Sequence, residues 1–422
     1  MKIEAPLAEV IEWLFRTRAP AAVEAKARQL VLDTIACVLA ARRHPEVAAL
    51  EKSLQATDPG SVASAAAGFA AAACWDEACE GLARAHGRPG LTVLAACSAL
   101  AGRNTYSVGQ VLDAYVTGYE IGGRLGESIR VAPGMHVDGA WPAFGAAAAV
   151  VRLLGGNAAQ ALAAIRIAAC QMPYSLYLPV AAGANARNTY SSHAAQLGLL
   201  AAAAALGGIV APAGALEELR SRCFENKSTK KEIAPPGEWL ILEAYLKPYA
   251  AVRHVHYGAA AALALSEDVF GRLGEIVRIE LATYAEALTY CGNRAPKTAI
   301  QAQFSLSYGV ACALATGELV PDSYAASFLN RPELKNLEAK IELVEDARLT
   351  QAGLRGATLA IRLPEEIRTL AVESVPGDPQ QPMTRAEVLA KFARYSGLPQ
   401  DQCMEFLDAP GSRAWVDWIL PL

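Results

Sequence analysis

Ile276-Val277-Arg278-Ile279-Glu280-Leu281-Ala282-Thr283-Tyr284 alternates in polarity. Val277, Ile279 and Leu281 take one face, Arg278 and Glu280 the other, which is the period-two pattern of a half-buried strand. Stretches 340–344, 357–363 and 369–374 have the same texture, and between them 302–316 reads as a helix stopped by Gly317. A helix-and-sheet module over 247–380 follows. Upstream, from Pro20 to about Leu216, proline starts and glycine stops punctuate helix after helix, clearest at 23–41, 107–125, 143–154, 157–171 and 193–206. No strand-like alternation appears in that half. Ser107 precedes the apolar positions Val111, Leu112 and Tyr115 as an N-cap should, and Gly155-Gly156 ends one helix where Asn157 starts another. Downstream, a proline-rich joint from Pro376 to Pro382 leads to Thr384, which caps a last helix through Tyr395. That tail is too short to fold alone. The predicted fold is mostly α: a large all-helical domain in two pieces, 1–240 plus 385–422, with a smaller α+β domain, 247–380, inserted.

Composition supports this reading. A chain of 422 residues, 53% hydrophobic and 19% charged, can bury a large core and is no disordered chain. The excess apolarity is mostly alanine, which suits helices packed close together. A net charge of −4 leaves no basic footprint for nucleic acid. The nine cysteines are scattered, odd in number and form no CxxC pair, which predicts buried thiols in a reducing compartment. Met1-Lys2-Ile3-Glu4-Ala5-Pro6 lacks the apolar run of a signal peptide, so a cytoplasmic protein is expected. Stretch 191–216 has no Lys, Arg, Asp or Glu, yet it is mainly alanine, holds His193 and Gln196, and breaks at Gly207-Gly208. A buried core helix fits it better than a membrane span. Arg-Asn-Thr-Tyr-Ser occurs at 103–107 and again at 187–191, each time before a helix, and shared helix-start chemistry accounts for it.

Six histidines are few for this length, so each is weighed. His86 lies in a glycine-proline loop, ten residues after Asp76, which closes an apolar run. The two either converge on one cavity or serve as a local cap and a solvated loop residue. His136 sits in Gly134-Met135-His136-Val137-Asp138, before an alanine-rich helix whose amino terminus attracts anions. It reads either as a carboxylate-binding or proton-transferring histidine or as a packing one. Arg187 and Asn188, at another helix start, form either a carboxylate clamp or a solvated pair. Lys247, Arg253, His254 and His256 crowd ten residues at the domain joint. His254 and His256 are spaced to share a strand face, but no acidic partner follows at ligand spacing, so no metal is expected. There is no GxGxxG after a strand, no P-loop and no GxSxG elbow, so no nucleotide cofactor or serine hydrolysis is indicated. What remains is His, Lys, Arg, Asp and Tyr at helix starts, suited to cofactor-free proton transfer on an anionic small molecule.

The chain resembles the MmgE/PrpD family, which includes 2-methylcitrate dehydratase, cis-aconitate decarboxylase and iminodisuccinate epimerase. The stretches that carry the resemblance are Val31-Leu32-Asp33-Thr34-Ile35, Gly134-Met135-His136 running into Phe144, and Lys247-Pro248-Tyr249 followed by Arg253 and His256. Phe304-Ser305-Leu306-Ser307-Tyr308 and Pro382-Met383-Thr384 with Lys391-Phe392 complete the order. The resemblance implies a homodimer that needs no cofactor, with its site in the cleft between the helical domain and an α+β lid. It places Asp76 and His86 at the family's acidic residue and the histidine ten positions on. His136 falls on the Gly-x-His histidine, Lys247 on the lysine opening the lid, and Tyr308 on the lid tyrosine. Arg187 stands where the lyases usually have a lysine; arginine stays protonated, so its implied role is binding. Val252 fills a position that is polar or a histidine in some members, and the Asp-Asp pair and threonine common near the first motif are reduced to Asp76-Glu77 and Glu80.

The resulting expectation is a lyase or isomerase that abstracts the proton α to a carboxylate of a small di- or tricarboxylic acid. His136 and His86 are the base and acid in some order, Asp76 tunes a histidine, and Lys247 completes the catalytic set. Arg187, Asn188, Arg253, His256 and Tyr308 hold the substrate. An epimerase of a dicarboxylate, or a catalytically silent binding or assembly member of the family, are the alternatives.

Overall fold

A helix begins where a side chain satisfies the N–H groups that its first turn leaves open. In the computed structural model, which describes residues 3–172, 175–224 and 232–419, Ser107, Asn157 and Thr384 each accept a hydrogen bond from the backbone three residues on. The side-chain oxygens of Gln110, Gln160 and Glu387 in turn accept the cap residue's own N–H. These capping boxes start helices Val108–Ser128, Ala158–Gln171 and Arg385–Ser396 where the sequence pattern puts them. Met1 and Lys2 of the amino-terminal stretch read above lie outside the described residues. Helix accounts for 62% of the structure and strand for 9%, a mostly α fold.

Alanine and glycine bring the central helices together. Pro142–Leu153 packs against both Val108–Ser128 and Tyr190–Leu206, and all three helices are buried along most of their length. At the first crossing Gly118 and Gly145 face each other, and a Cβ on Gly145 would lie 2.5 Å from the Gly118 carbonyl oxygen. Backbone cannot give way as a flexible side chain can. Gly145→Val is therefore expected to destabilise the fold by about 1–3 kcal/mol or more, read as a lower thermal midpoint; an unchanged midpoint would contradict this packing.

The sheet lies within residues 247–380. After a two-residue ladder, β1 (Gly81–Leu82) against β2 (Ala244–Tyr245), come β3 (Arg278–Thr283), β4 (Ile341–Glu345), β5 (Ala357–Arg362) and β6 (Ile367–Val372). The last four form one sheet in the order β4-β3-β5-β6, with β3 and β4 parallel and the other pairs antiparallel. Ile279 and Leu281 of β3 meet Ile361 and Leu359 of β5 on the buried face, covered by helices His256–Ser266 and Leu306–Thr316. Three details depart from the sequence reading. Val277 lies before β3 and is exposed. The expected single helix over 302–316 is two, Ala299–Gln303 and Leu306–Thr316, because the Ser305 hydroxyl accepts the Tyr308 N–H and restarts the helix. The ladder of β1 and β2, too short to show alternation, ties residues 81–82 to the segment just before Lys247.

Helix Arg385–Ser396 packs on Ala21–Ala41 of the helical part, where Lys391 hydrogen-bonds the Asp33 carboxylate and, at 2.7 Å, the Ala78 carbonyl. All nine cysteines are free thiols; seven are buried, Cys223 is partly so and Cys170 is exposed. Among the described residues no helix is long and apolar enough to cross a membrane.

Candidate active site

The turn after helix Val62–Trp75 builds the site. Asp76 ends the helix, and Glu77 and His86 then adopt left-handed backbone, with φ of 51° and 53°. Such conformations cost a non-glycine residue energy and concentrate where function requires a side chain to be aimed. Both residues line a cavity of about 580 Å³ bounded by the helical part on one side and by residues 245–355 on the other.

Inside it, two carboxylates meet three cations. Glu77 Oε2 accepts from Lys247 Nζ at 2.8 Å, and that ammonium also bonds the Glu77 carbonyl at 2.7 Å. Glu77 Oε1 accepts from Arg187 and lies 3.3 Å from Arg88 Nη2. Asp138 accepts from Arg88 and sits 3.6 Å from Arg187. All five side chains are buried. Burial alone would push the Glu77 carboxyl up, but Arg88, Lys247 and Arg187 hold it well below its ordinary value. Asp138 is held at about 2 against burial, chiefly by Arg88. Cys74, Glu77 and Asp138 bring donor atoms within 4.8 Å of one another, as a metal site would. Three cations already neutralise this group, and burial pushes the Cys74 thiol up, away from the thiolate a metal takes.

Three imidazoles share the cavity: His86, His136 and His254. Burial drives His136 down to about 4, so its ring is neutral near pH 7. Its Nδ1 accepts the Asp138 N–H at 3.2 Å, which leaves the proton of the neutral ring on Nε2. The ring lies between Tyr177 and Tyr190, with centroids 6.2 and 5.7 Å away. His254 has Nδ1 2.7 Å from the Tyr284 hydroxyl and stacks on Tyr290, and burial, with Arg355 adding, drives it to about 3.

Of the residues singled out from sequence, the cavity brings together His86, His136, Arg187, Lys247, Arg253 and His254. The others lie elsewhere. Asp76 is turned away from His86, with Oδ1 2.9 Å from His44 Nε2, so the histidine it tunes is His44, whose pKa this bond raises. Asn188 is buried behind Arg187, accepting its Nη1 at 2.9 Å. His256 is buried with Nε2 on the Ala251 carbonyl, because a helix starts there and no strand face forms. Tyr308 donates to the Ser323 carbonyl and borders a separate cavity of about 400 Å³. Sequence reasoning gave no role to Glu77, Arg88 or Asp138, each within two residues of one it did assign, and weighed His254 only as a metal ligand. It missed Arg130, Tyr177, Tyr290 and Arg355 without any such signal.

A mostly helical protein with a charged, histidine-bearing cavity is what the fold defines. The MmgE/PrpD N-terminal domain profile matches residues 5–233 and the C-terminal domain profile residues 249–407. The chain belongs to the MmgE/PrpD family. No curated protein matches it.

These ionisations set a pH dependence. In the unfolded chain the histidines protonate near 6.5, while in the fold His136 waits until about 4 and His254 until about 3. Between 6.5 and those values the unfolded state binds more protons, so stability falls as pH falls; Asp138, at about 2 against 3.8, extends the loss. Glu80, raised by burial from 4.5 to about 7, works in the opposite sense, losing stability as pH rises through that window. His136→Gln is expected to shrink the drop in urea midpoint between about pH 7 and about pH 5. An unchanged drop would mean that His136 titrates in the fold as it does in the unfolded chain.

Proposed function

We propose that this protein is a cofactor-independent lyase or isomerase that removes the proton α to a carboxylate of a small di- or tricarboxylic acid, with chemistry like that of 2-methylcitrate dehydratase. One observation carries the reading: a single cavity holds three imidazoles beside six cationic side chains and only three carboxylates. Such a surface favours an anion, and His136 and His254, held neutral beside it, and His86 can exchange protons with that anion. Membership in a family that includes dehydratases supports the same reading.

The α proton of a carboxylate is weakly acidic, and its removal puts charge on the carboxylate oxygens. Lys247, with Arg187 behind it, stabilises that enediolate in a buried site where electrostatics act at full strength. His136, neutral with its proton on Nε2, is assigned the hydrogen-bond donor to the leaving group or to the developing charge, while the proton His86 takes is returned from its imidazolium to the leaving group or to carbon. His86, on the turn held by left-handed backbone, is assigned the base. Residues 247–380 act as the lid over this cavity, the chain pairs as a homodimer, and it works in the cytoplasm.

Arg187 favours a second reading. Its guanidinium is committed to Glu77 and Asn188, so a member that binds carboxylates without turning them over is the alternative. A thermal-shift screen of di- and tricarboxylates in excess chelator, followed by deuterium wash-in, separates the outcomes. Binding and exchange are expected to survive chelation. Binding without exchange marks the silent member, and exchange without elimination marks an epimerase. Stoichiometric metal lost together with activity would overturn the proposal.

A further inference from the structure

Three arginines of the cavity take no part in the Glu77 cluster. Arg130, just beyond helix Val108–Ser128, hydrogen-bonds none of the described residues and lies half-buried in the wall. Arg355, just before β5, has one ion-pair neighbour among the described residues, the half-exposed Glu286, and only at 3.9 Å. Arg253 gives Nη2 to Asp378 and to the Tyr257 hydroxyl at 3.3 Å, while its Nε and Nη1 are buried without a hydrogen-bond partner. Its side chain is only 7% exposed. Buried donors of this kind are rare in folded proteins, since each forfeits its hydration, and they call for a ligand that satisfies them. Arg130 comes from the helical part; Arg253 and Arg355 come from the sheet-bearing part.

We infer that Arg130, Arg253 and Arg355 form a second carboxylate subsite, so that the substrate carries two carboxylates and its binding ties the two parts of the chain together across the cavity. The inference rests on the reaction class proposed above and says which residues read the second carboxylate. The first carboxylate, on the carbon that loses its proton, belongs beside Lys247, Arg187 and His136. The second belongs at the three arginines, whose planar N–H forks match a carboxylate in two-point fashion. Burial disfavours charge on Arg130, Glu286 opposes this and nearby Arg355 adds to it; an anion between the two arginines removes their repulsion. Arg253 stacks on Tyr245 and Tyr257, with its guanidinium 4.6 and 5.2 Å from the ring centroids, and is therefore fixed before any ligand arrives. A monocarboxylate fills only the first position.

Calorimetric titration tests this with propionate, succinate, glutarate and tricarballylate on the full chain and on Arg130→Gln, Arg355→Gln and the double variant. Both positions are partly exposed, and circular dichroism with Arg130→Lys and Arg355→Lys as charge-keeping controls shows whether a loss is one of fold. The double variant is expected to lose at least about tenfold in affinity for the tightest di- or tricarboxylate, with propionate binding unchanged. The lysine variants should fall between it and the wild type. Unchanged di- and tricarboxylate binding, or an equal loss for propionate, would overturn the subsite while leaving the reaction class standing. A wild-type chain that binds none of the four acids would overturn the reaction class itself.

Discussion

Glu77→Gln is expected to lower the unfolding free energy by about 3–5 kcal/mol, the cost of removing one partner from a buried ionic network. The carboxylate is the shared acceptor of Lys247 and Arg187 and a close neighbour of Arg88. Glutamine keeps the volume and loses the charge, which leaves three buried cations facing Asp138 alone. Arg187→Gln is the informative contrast. It leaves Arg88 and Lys247 against Glu77 and Asp138, a balanced set, so it should cost less than half as much. In the Glu77→Gln/Arg187→Gln double variant part of the loss should return, because one uncompensated cation has gone. Urea unfolding near pH 7 measures all three. Equal losses for the two single variants would show that packing, and not charge balance, holds the cluster.

The second large effect is on chemistry. His86→Ala and His136→Ala are each expected to reduce turnover by about 10²- to 10⁴-fold, the range over which one positioned acid or base acts. They should do so differently. With His86 removed, deuterium wash-in at the α carbon is lost, because nothing takes the proton. With His136 removed, wash-in persists to a large extent while elimination or inversion slows, because the Nε2–H that hydrogen-bonds the leaving group or the developing charge is missing. Carboxylate binding should hold in both variants, since cations supply it. The reverse split would exchange the two roles, and full activity in either variant would remove that histidine from the mechanism.

These expectations show which features a sequence displays and which it hides. Helix boundaries were legible where Ser107, Asn157 and Thr384 cap them, because capping is local chemistry. The alternation of β3 and β5 was legible because one face of the sheet is buried. A pairing as short as that of β1 and β2 was not, since two residues have no period. In the cavity, His86, His136, Arg187 and Lys247 sit at loops or helix starts, where a side chain that bears chemistry stands out. Glu77 was hidden beside Asp76: which of two adjacent acids faces inward depends on one left-handed residue that composition does not reveal. The repeated pentapeptide makes the same point. At 103–107 it ends in an exposed-surface cap, while at 187–191 its arginine is among the most deeply buried side chains of the protein. Arg130 and Arg355 meet only because residues 225 positions apart in the chain converge on one cavity.

The central claim is proton transfer at the carbon α to a carboxylate, and deuterium wash-in observed by NMR tests it most directly. The protein in D2O with excess chelator should exchange the α proton of at least one di- or tricarboxylate that it binds, at a rate abolished by His86→Ala. Binding of those acids by the wild type with no exchange at any α carbon would contradict the claim.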